Sequence, residues 1–184
     1  MILGKHLYLN YIKDRDDYHF IYEKFCLDDL YLWSNKNSKQ TYFEFQTEMN
    51  EMLKSHYRSF YVIYENNSDK RMGFIFAYNI RNIDSHAFVT IYICEEYRNK
   101  IYSVEAAVLY LNHLFEKLSL NKVFFEVYSY NQNSISLMQF PGVIREATLK
   151  EYRKHNDEYY DLYIYSLTKK SFINNQVYLE AIKW

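Results

Sequence analysis

The most constraining feature of the sequence is a change of hydrophobic period between His86 and Tyr130. The run His86–Cys94 (HAFVTIYIC) is typical of a strand, and from Val104 to Leu118 the apolar residues fall on one face of a 3.6-residue period. A second strand-like run, Lys122–Tyr130 (KVFFEVYSY), follows this helix. A strand–helix–strand unit joins two parallel strands through a right-handed crossover, so the sheet must contain at least one parallel pair.

The rest of the chain predicts antiparallel strands and further helices around this unit. Strand-like runs separated by polar turns are typical of a meander, and they occur at Lys5–Ile12, Ser59–Glu65, Arg71–Tyr78, Val143–Tyr152 and Tyr159–Leu167. Helical spacing predicts helices at Tyr18–Phe25, Thr41–Lys54 and Asn133–Phe140. We therefore expect an α/β fold with a mixed, mostly antiparallel central sheet of about seven strands and flanking helices. No linker or repeat interrupts the sequence, which favours a single domain over residues 1–184.

Composition restricts the partners and the compartment. The formal net charge is −1, so no global field attracts nucleic acid, and the basic stretch Lys150–His155 is interpreted as a solvated hairpin turn. No apolar run approaches the roughly 20 residues that span a bilayer, and no secretory signal opens the chain. We expect a cytoplasmic protein, monomeric or homodimeric, that does not bind a membrane. The two cysteines and six histidines lack metal-site spacing, so no metal is expected.

A polar loop precedes the Val104–Leu118 helix. It contains Arg98, Asn99, Lys100, Ile101, Tyr102 and Ser103, and Ser103 is the predicted N-cap. Backbone N–H groups at a helix N-terminus bind phosphate, and two cations beside them add attraction. Loop cations before a helix are more often simply solvated, so the loop by itself leaves both interpretations open.

Further motifs follow in a recognisable order. After Arg98-x-x-Ile101-x-Ser103 come Leu114-Phe115-Glu116-Lys117-Leu118, then the strand ending at Asn131, then Asn131-Gln132-Asn133-Ser134, and lastly Gly142-Val143. In spacing and order, the stretch from Ile91 to Val143 resembles the GNAT superfamily of acyl-CoA N-acyltransferases. The pattern is most similar to the ribosomal-protein-type N-acetyltransferases of that family.

The resemblance implies a binding site for acetyl-CoA as co-substrate. Backbone groups of Ile91 and Ile93 would pair with its pantetheine arm like an added strand. The loop from Arg98 to Ser103 would hold the pyrophosphate, and Asn131 and Ser134 would contact the arm. The implied reaction is direct attack of a primary amine, a small molecule or a protein N-terminus, on the thioester in a ternary complex.

Glu126 lies where some members of the family place a catalytic base. A carboxylate inside an apolar strand is costly unless it is paired or functional. The alternatives are a side chain that faces solvent or one that pairs with a lysine across the sheet. For the acceptor pocket, the early helices supply the aromatic candidates Tyr22, Trp33 and Phe45, although ordinary packing is the more common role of such side chains.

Two departures from the family pattern leave other functions open. Ile101 and Ser103 replace the loop glycines, and a β-branched residue is poorly suited to positive φ. Either Ile101 keeps a negative φ and points its side chain away, or the affinity for CoA is weak or absent. Met138 stands where many members carry a tyrosine that protonates the departing thiolate. The alternatives to an acetyltransferase are a non-catalytic binding or scaffold module and an enzyme that uses a different acyl carrier.

Overall fold

The computed structural model describes residues 1–27, 40–55, 58–98 and 101–181. The strands are β1 (Ile2–Leu3), β2 (Leu7–Asn10), β3 (Ser59–Glu65), β4 (Arg71–Arg81), β5 (His86–Ile93), β6 (Lys122–Tyr128), β7 (Ile144–His155) and β8 (Glu158–Thr168). The helices are α1 (Arg15–Tyr22), α2 (Tyr42–Lys54), α3 (Ile101–Lys117), α4 (Gln132–Leu137), α5 (Lys169–Ile173) and α6 (Gln176–Ala181). A π-helical turn, Glu23–Leu27, extends α1, and a 3-10 turn, Glu95–Tyr97, follows β5.

The strands form one sheet in the order β1-β2-β3-β4-β5-β6-β8-β7. Within the described ranges, β5 and β6 are the one parallel pair, and α3 makes the crossover between them. The predicted α/β fold with a mixed, mostly antiparallel sheet is therefore confirmed. The sheet has eight strands among the described residues instead of about seven. The additional strand is β1, whose two residues pair with β2 and are too few to show a period-2 pattern in the sequence.

Helices cover both faces of the sheet. One face carries α3 and a core of aliphatic and aromatic side chains that includes Ile75, Val89, Leu114 and Phe115. The opposite face carries α1 and α2 over a second cluster dominated by aromatic rings. At Gly73, on β4, the strands approach so closely that an added Cβ would lie 2.0 Å from the carbonyl oxygen of Tyr92.

The helix starts follow local capping chemistry, with one correction. Asp14 caps α1 by accepting a hydrogen bond from the Asp17 N–H, and Thr41 with Glu44 forms a capping box at α2. The predicted N-cap of α3, Ser103, is wrong because the helix begins at Ile101 and Ser103 is a buried helical residue. Hydrophobic periodicity detects only the buried stripe and misses a first turn that is partly exposed. None of the helices in the described ranges is long and apolar enough to cross a membrane.

The late strands are longer than predicted. The stretch Lys150–His155, interpreted above as a hairpin turn, belongs to β7 and pairs with β8 as far as His155 opposite Glu158. The turn itself lies at Asn156 and Asp157, which adopt positive φ values of 49° and 63°. Charged side chains occupy this strand because most of its residues are exposed, so composition misidentifies it as a loop. The short helices α5 and α6 were not predicted.

Candidate active site

A gap opens in the sheet between the two parallel strands. The β5–β6 pairing covers only His86–Phe88 opposite Lys122–Phe124. Beyond that point β5 continues to Ile93 paired with β4 alone, and β6 continues to Tyr128 paired with β8 alone. The two strands therefore diverge and leave facing backbone edges with no strand between them among the described residues.

Strand geometry determines which backbone groups face the gap. The N–H of Cys94 donates to the carbonyl of Met72 on β4 at 2.8 Å. Because N–H and C=O groups alternate sides along a strand, those of Ile91 and Ile93 point away from β4 and toward the gap. The carbonyl of Ile93 accepts a hydrogen bond from Arg98 Nε at 2.9 Å. Ile91 and Ile93 thus lie on the edge where the resemblance places the donor's arm.

The loop predicted to hold pyrophosphate is mostly the first turn of α3. Arg98 lies beside the end of β5, with its guanidinium carbon 5.5 Å from the Tyr92 ring centroid. Asn99 and Lys100 lie outside the described residues. Ile101 begins the helix with its side chain 59% exposed, and it is not among the residues with positive φ. Of the two alternatives for Ile101, the backbone therefore adopts the one with negative φ and the side chain turned outward.

The next two residues of that turn face inward. Tyr102 packs edge-on against Tyr97, with ring centroids 5.9 Å apart, and against His6 at 6.3 Å. Ser103 is buried. The side chains of Tyr102 and Ser103 therefore have structural surroundings, and a ligand at this turn would be met by backbone N–H groups, which at a helix start have no acceptor within the helix.

Asn131 and Ser134 are brought together at the start of α4. Asn131 is the N-cap of this helix, and its Oδ1 accepts a hydrogen bond from the Ser134 N–H at 3.1 Å. This capping interaction follows directly after β6, at the open end of the gap. The sequence signal for the pair therefore has a structural explanation as well as a binding one.

Glu126 lies on β6 beyond the last residue that pairs with β5, and its side chain is exposed. It faces solvent, as one of the alternatives proposed, but its partner is not a lysine. The hydroxyl of Tyr78, on β4, donates a hydrogen bond to Glu126 Oε2 at 2.6 Å. The side chain of Thr90, on β5, lowers the pKa of Tyr78 and so opposes the effect of Glu126.

Tyr78 is a residue that sequence reasoning missed. Burial, followed by the hydrogen bond to Glu126 and its negative charge, raises the pKa of Tyr78 well above its ordinary value. Tyr78 and Glu126 are 48 residues apart, and only the register of three adjacent strands brings them together. No local pattern among 22 tyrosines could have identified this one.

A cavity of about 310 Å³ opens on the same face, between α2 and the sheet. Its lining is mostly apolar and consists of Phe25, Phe45, Glu48, Met49, Met52, Arg58, Phe60 and Phe76. The Phe76 ring lies 5.9 Å from that of Tyr78, so the cavity adjoins the Tyr78–Glu126 pair. Of the predicted pocket residues, Phe45 lines the cavity. The Tyr22 ring packs against Phe45, with the ring centroids 5.5 Å apart, and the Tyr22 hydroxyl donates a hydrogen bond to the Gln40 carbonyl. Trp33 lies outside the described residues.

Comparison with known proteins places this geometry in a family. The model of the acetyltransferase (GNAT) domain family matches residues 6–143. An uncharacterized N-acetyltransferase derived from the SPbeta prophage of Bacillus subtilis (strain 168), YokL, is 26% identical over 146 residues, covering 79% of this chain and 78% of that protein. The chain therefore belongs to the GNAT acetyltransferases, and it is an N-acetyltransferase.

Solved structures share the fold. A spermidine N-acetyltransferase from Vibrio cholerae, crystallised with CoA and spermine, superposes with a TM-score of 0.84 at 20% identity, covering 92% of this chain and 99% of that one. A structure described as a putative acetyltransferase gives a TM-score of 0.77 at 20% identity over 99% of this chain and 93% of its own. At this identity the likeness concerns the fold, and the substrate must be argued from the site.

Proposed function

We propose that the protein transfers the acetyl group of acetyl-CoA to a primary amine by direct attack in a ternary complex. The observation that carries this proposal is the gap between β5 and β6, with the Glu126 carboxylate held at its edge by Tyr78. Such a gap offers backbone groups to an extended donor and places a proton acceptor beside it. The Vibrio cholerae enzyme with CoA and spermine supports the pairing of this fold with a CoA donor and an amine acceptor.

The residues at the gap fit an acyl-CoA. The edge at Ile91 presents an N–H and a C=O to an extended chain, which is how an added strand is recognised. The first turn of α3, beginning at Ile101, presents backbone N–H groups that have no acceptor within the helix, and Arg98 supplies a cation at the same end. Ser103 completes this turn, and Asn131 and Ser134 lie at the open end of the gap. Acetyl-CoA supplies an acetyl group activated as a thioester.

Glu126 serves as the general base in this proposal. A primary alkylamine has a pKa near 10.4 and is mostly protonated at neutral pH, so it must lose a proton before it can attack. The Glu126 carboxylate is exposed, so a proton that it accepts can pass on to water. The hydrogen bond from Tyr78 restricts the carboxylate to one orientation, beside the gap.

The cavity supports a small acceptor with an apolar body. Its volume of about 310 Å³ is at the lower end of the range for ligand pockets, roughly 300–1,000 Å³. Among the described residues of the lining, Glu48 is the one carboxylate, and it accepts a hydrogen bond from Gln40 at 2.7 Å. The described lining also includes the cation Arg58. A mostly apolar lining favours an alkyl or aryl amine over a polycation, because burying charge without an opposite charge is costly.

Donor binding is tested by thermal unfolding with and without acetyl-CoA. A ligand present at 100 times its Kd stabilises the folded state by about 2.7 kcal/mol, which raises the Tm by several degrees. Matched additions of CoA and of adenosine alone would separate recognition of the arm and phosphates from recognition of the base. If millimolar acetyl-CoA leaves the Tm unchanged, the scaffold module or a different acyl carrier replaces this proposal.

The acceptor is tested with a panel of amines and acetyl-CoA, with release of free thiol as the readout. We expect phenethylamine and isoamylamine to be acetylated with higher kcat/KM than spermidine. A preference for spermidine would contradict the apolar acceptor while leaving the transferase intact.

The base is tested in the same assay. We expect Glu126→Gln to reduce kcat by about 100-fold or more, the range for removal of a general base. Glu51→Gln, an exposed carboxylate on α2, is the matched control and should leave kcat unchanged. An unchanged pH–rate profile in Glu126→Gln would remove Glu126 from the mechanism.

A further inference from the structure

The Tyr78–Glu126 hydrogen bond connects strands that do not pair with each other. Tyr78 extends from β4 and Glu126 from β6, and β5 lies between them in the sheet. Their 2.6 Å contact therefore spans β5 and the mouth of the gap that opens beside it. Any group that enters the gap and reaches the α1/α2 face of the sheet arrives next to this hydroxyl and this carboxylate.

Neighbouring side chains fix the direction of the Tyr78 hydroxyl. The Tyr78 ring packs between Phe76 at 5.9 Å and Phe88 at 5.5 Å, so the aromatic cluster sets the direction of the side chain. Thr90, on β5, acts in the opposite direction to Glu126 and lowers the pKa of Tyr78. Among the described residues, Tyr128 on β6 is a further titratable neighbour of Tyr78. His86 at 5.6 Å and Lys122 at 4.9 Å contact the Phe124 ring, which stacks on Phe88.

The reaction proposed above needs a proton donor as well as a base. The thiolate that leaves the acetyl group takes up a proton, and Met138, the C-cap of α4, has no proton to give. Tyr78 is a hydroxyl at the gap with a carboxylate beside it. We propose that Tyr78 delivers this proton to the departing sulfur and that Glu126 restores it, an inference that rests on the proposed function.

The proton transfers balance. The transfer starts from the neutral amine, after Glu126 has taken the ammonium proton and passed it to water. As the amine nitrogen bonds to the acetyl carbon and the carbon–sulfur bond breaks, the nitrogen loses its second proton to the Glu126 carboxylate. The Tyr78 hydroxyl gives its proton to the sulfur, which leaves as a thiol. The protonated Glu126 then returns a proton to the Tyr78 oxygen along their existing hydrogen bond. The net result moves one proton from nitrogen to sulfur and leaves both side chains as they began.

The order of these steps follows from electrostatics. The ionised Glu126 carboxylate holds the Tyr78 proton in the resting protein and, after burial, is a principal cause of the raised pKa of Tyr78. Once Glu126 accepts a proton, that charge disappears and the carboxyl group becomes a hydrogen-bond donor to the Tyr78 oxygen. Tyr78 therefore becomes able to release its proton only after the amine has lost one.

The test compares Tyr78→Phe with Tyr128→Phe. The first removes the bridging hydroxyl and keeps the ring, and the second removes a nearby hydroxyl on β6 for which no bond to Glu126 is seen. We expect Tyr78→Phe to lower kcat by about 10- to 100-fold, consistent with loss of an acid catalyst. The KM for acetyl-CoA should stay within about 2-fold, because the ring and the backbone edge remain. Tyr128→Phe should keep the kcat of the unmodified protein.

A double-mutant cycle separates a shared proton path from independent effects. Tyr78→Phe combined with Glu126→Gln should be little worse than Glu126→Gln alone, because residues that act as one unit are not additive. Additive losses in kcat would overturn the proposal. An unchanged kcat in Tyr78→Phe, with acetyl-CoA still bound and Glu126→Gln impaired, would overturn it while sparing the proposed function.

A spectroscopic readout in the free protein needs no turnover. With tyrosine labelled with ¹³C at Cζ, the Tyr78 signal is assigned as the one missing from Tyr78→Phe. We expect that signal to shift in Glu126→Gln and to stay in place in Glu51→Gln, because only the first replaces the hydrogen-bond acceptor. If the Tyr78 signal is the same in both variants, the two side chains are not coupled and the proposal fails.

Discussion

The two faces of the sheet hold their helices in different ways. On one face, α3 buries a broad stripe of side chains, namely Ser103, Glu105, Ala106, Val108, Leu109, Tyr110, Leu111, Leu114 and Phe115. On the other face, α1 buries only Asp17 and Ile21. The α3 face is therefore held by many apolar contacts, small individually and large together, that extend along the whole helix.

The α1 face adds to its aromatic cluster a few polar contacts concentrated at Asp17. Its Oδ2 accepts hydrogen bonds from the Lys13 N–H at 2.7 Å and the Tyr64 hydroxyl at 2.6 Å, and its Oδ1 pairs with Arg71 Nε at 2.7 Å. A buried polar anchor of this kind fixes the start of the helix at one point, whereas the aromatic rings beneath supply the remaining contacts. The cavity and the Tyr78–Glu126 pair lie on this face of the sheet, opposite α3.

The largest expected effect is at the apolar face. Phe115 is fully buried and packs on the Phe172 ring at 5.2 Å. Phe115→Ala should lower the free energy of unfolding by about 3–5 kcal/mol, as large-to-small changes in a core do. Urea unfolding of the variant and the unmodified protein measures this loss. A loss below about 1 kcal/mol would mean that the α3 face is less tightly packed than the comparison requires.

The second-largest effect on stability is expected at the polar anchor, Asp17. Asp17→Asn keeps the size of the side chain but removes the negative charge to which Arg71 Nε and the Tyr64 hydroxyl donate hydrogen bonds. We therefore expect a loss of about 2–3 kcal/mol in the free energy of unfolding. Asp16→Asn is the matched control, since Asp16 lies in the same helical turn and is exposed, and it should change the free energy by less than about 0.5 kcal/mol. Equal effects of the two variants would contradict a single-point anchor.

Filling the cavity should affect catalysis more than stability. Met52 lines the cavity and is only partly buried. The larger side chain in Met52→Trp should therefore extend into the cavity and exclude the acceptor. We expect kcat/KM for the preferred amine to fall by about 10-fold, within the range for a hydrophobic pocket contact, with the Kd for acetyl-CoA unchanged. Leu53→Trp, one residue away and outside the lining, is the control. Similar kinetics in both variants would place the acceptor elsewhere.

The smallest expected effect is a pH dependence on the α3 face. Burial lowers the pKa of His113, on α3, whose Nε2 lies 3.2 Å from the Tyr61 hydroxyl. Because the unfolded chain then binds a proton more readily than the folded one, this contribution to stability is present above about pH 6.5 and is lost as the pH falls. His113→Gln should flatten the decline in Tm between pH 7 and 5. A steeper decline of Tm in the variant would mean that folding raises the pKa of His113 and does not lower it.

Local patterns were enough to predict most of the fold. The period of α3, the strands on either side of it and the parallel crossover all follow from where apolar residues recur along the chain. Element ends were less accurate, because the first turn of α3 is partly exposed and β7 is mostly exposed. In both places the residues that extend the element carry no hydrophobic signal.

The candidate site could be predicted only in part. Glu126, Ile91 and the turn from Arg98 to Ser103 were selected from the sequence, and their functional roles stay predictions. Ile101 illustrates the limit of a motif, because its replacement of a glycine looked severe until the backbone proved to be helical there.

By itself, the sequence determined which segments become strands and helices and which strand carries Glu126, because hydrophobic period is a local property of the chain. The tertiary structure decided that the Glu126 carboxylate meets Tyr78, and that β5 and β6 separate after Phe88. Both depend on the register of strands distant in sequence, and register is settled only when their side chains pack on a shared face.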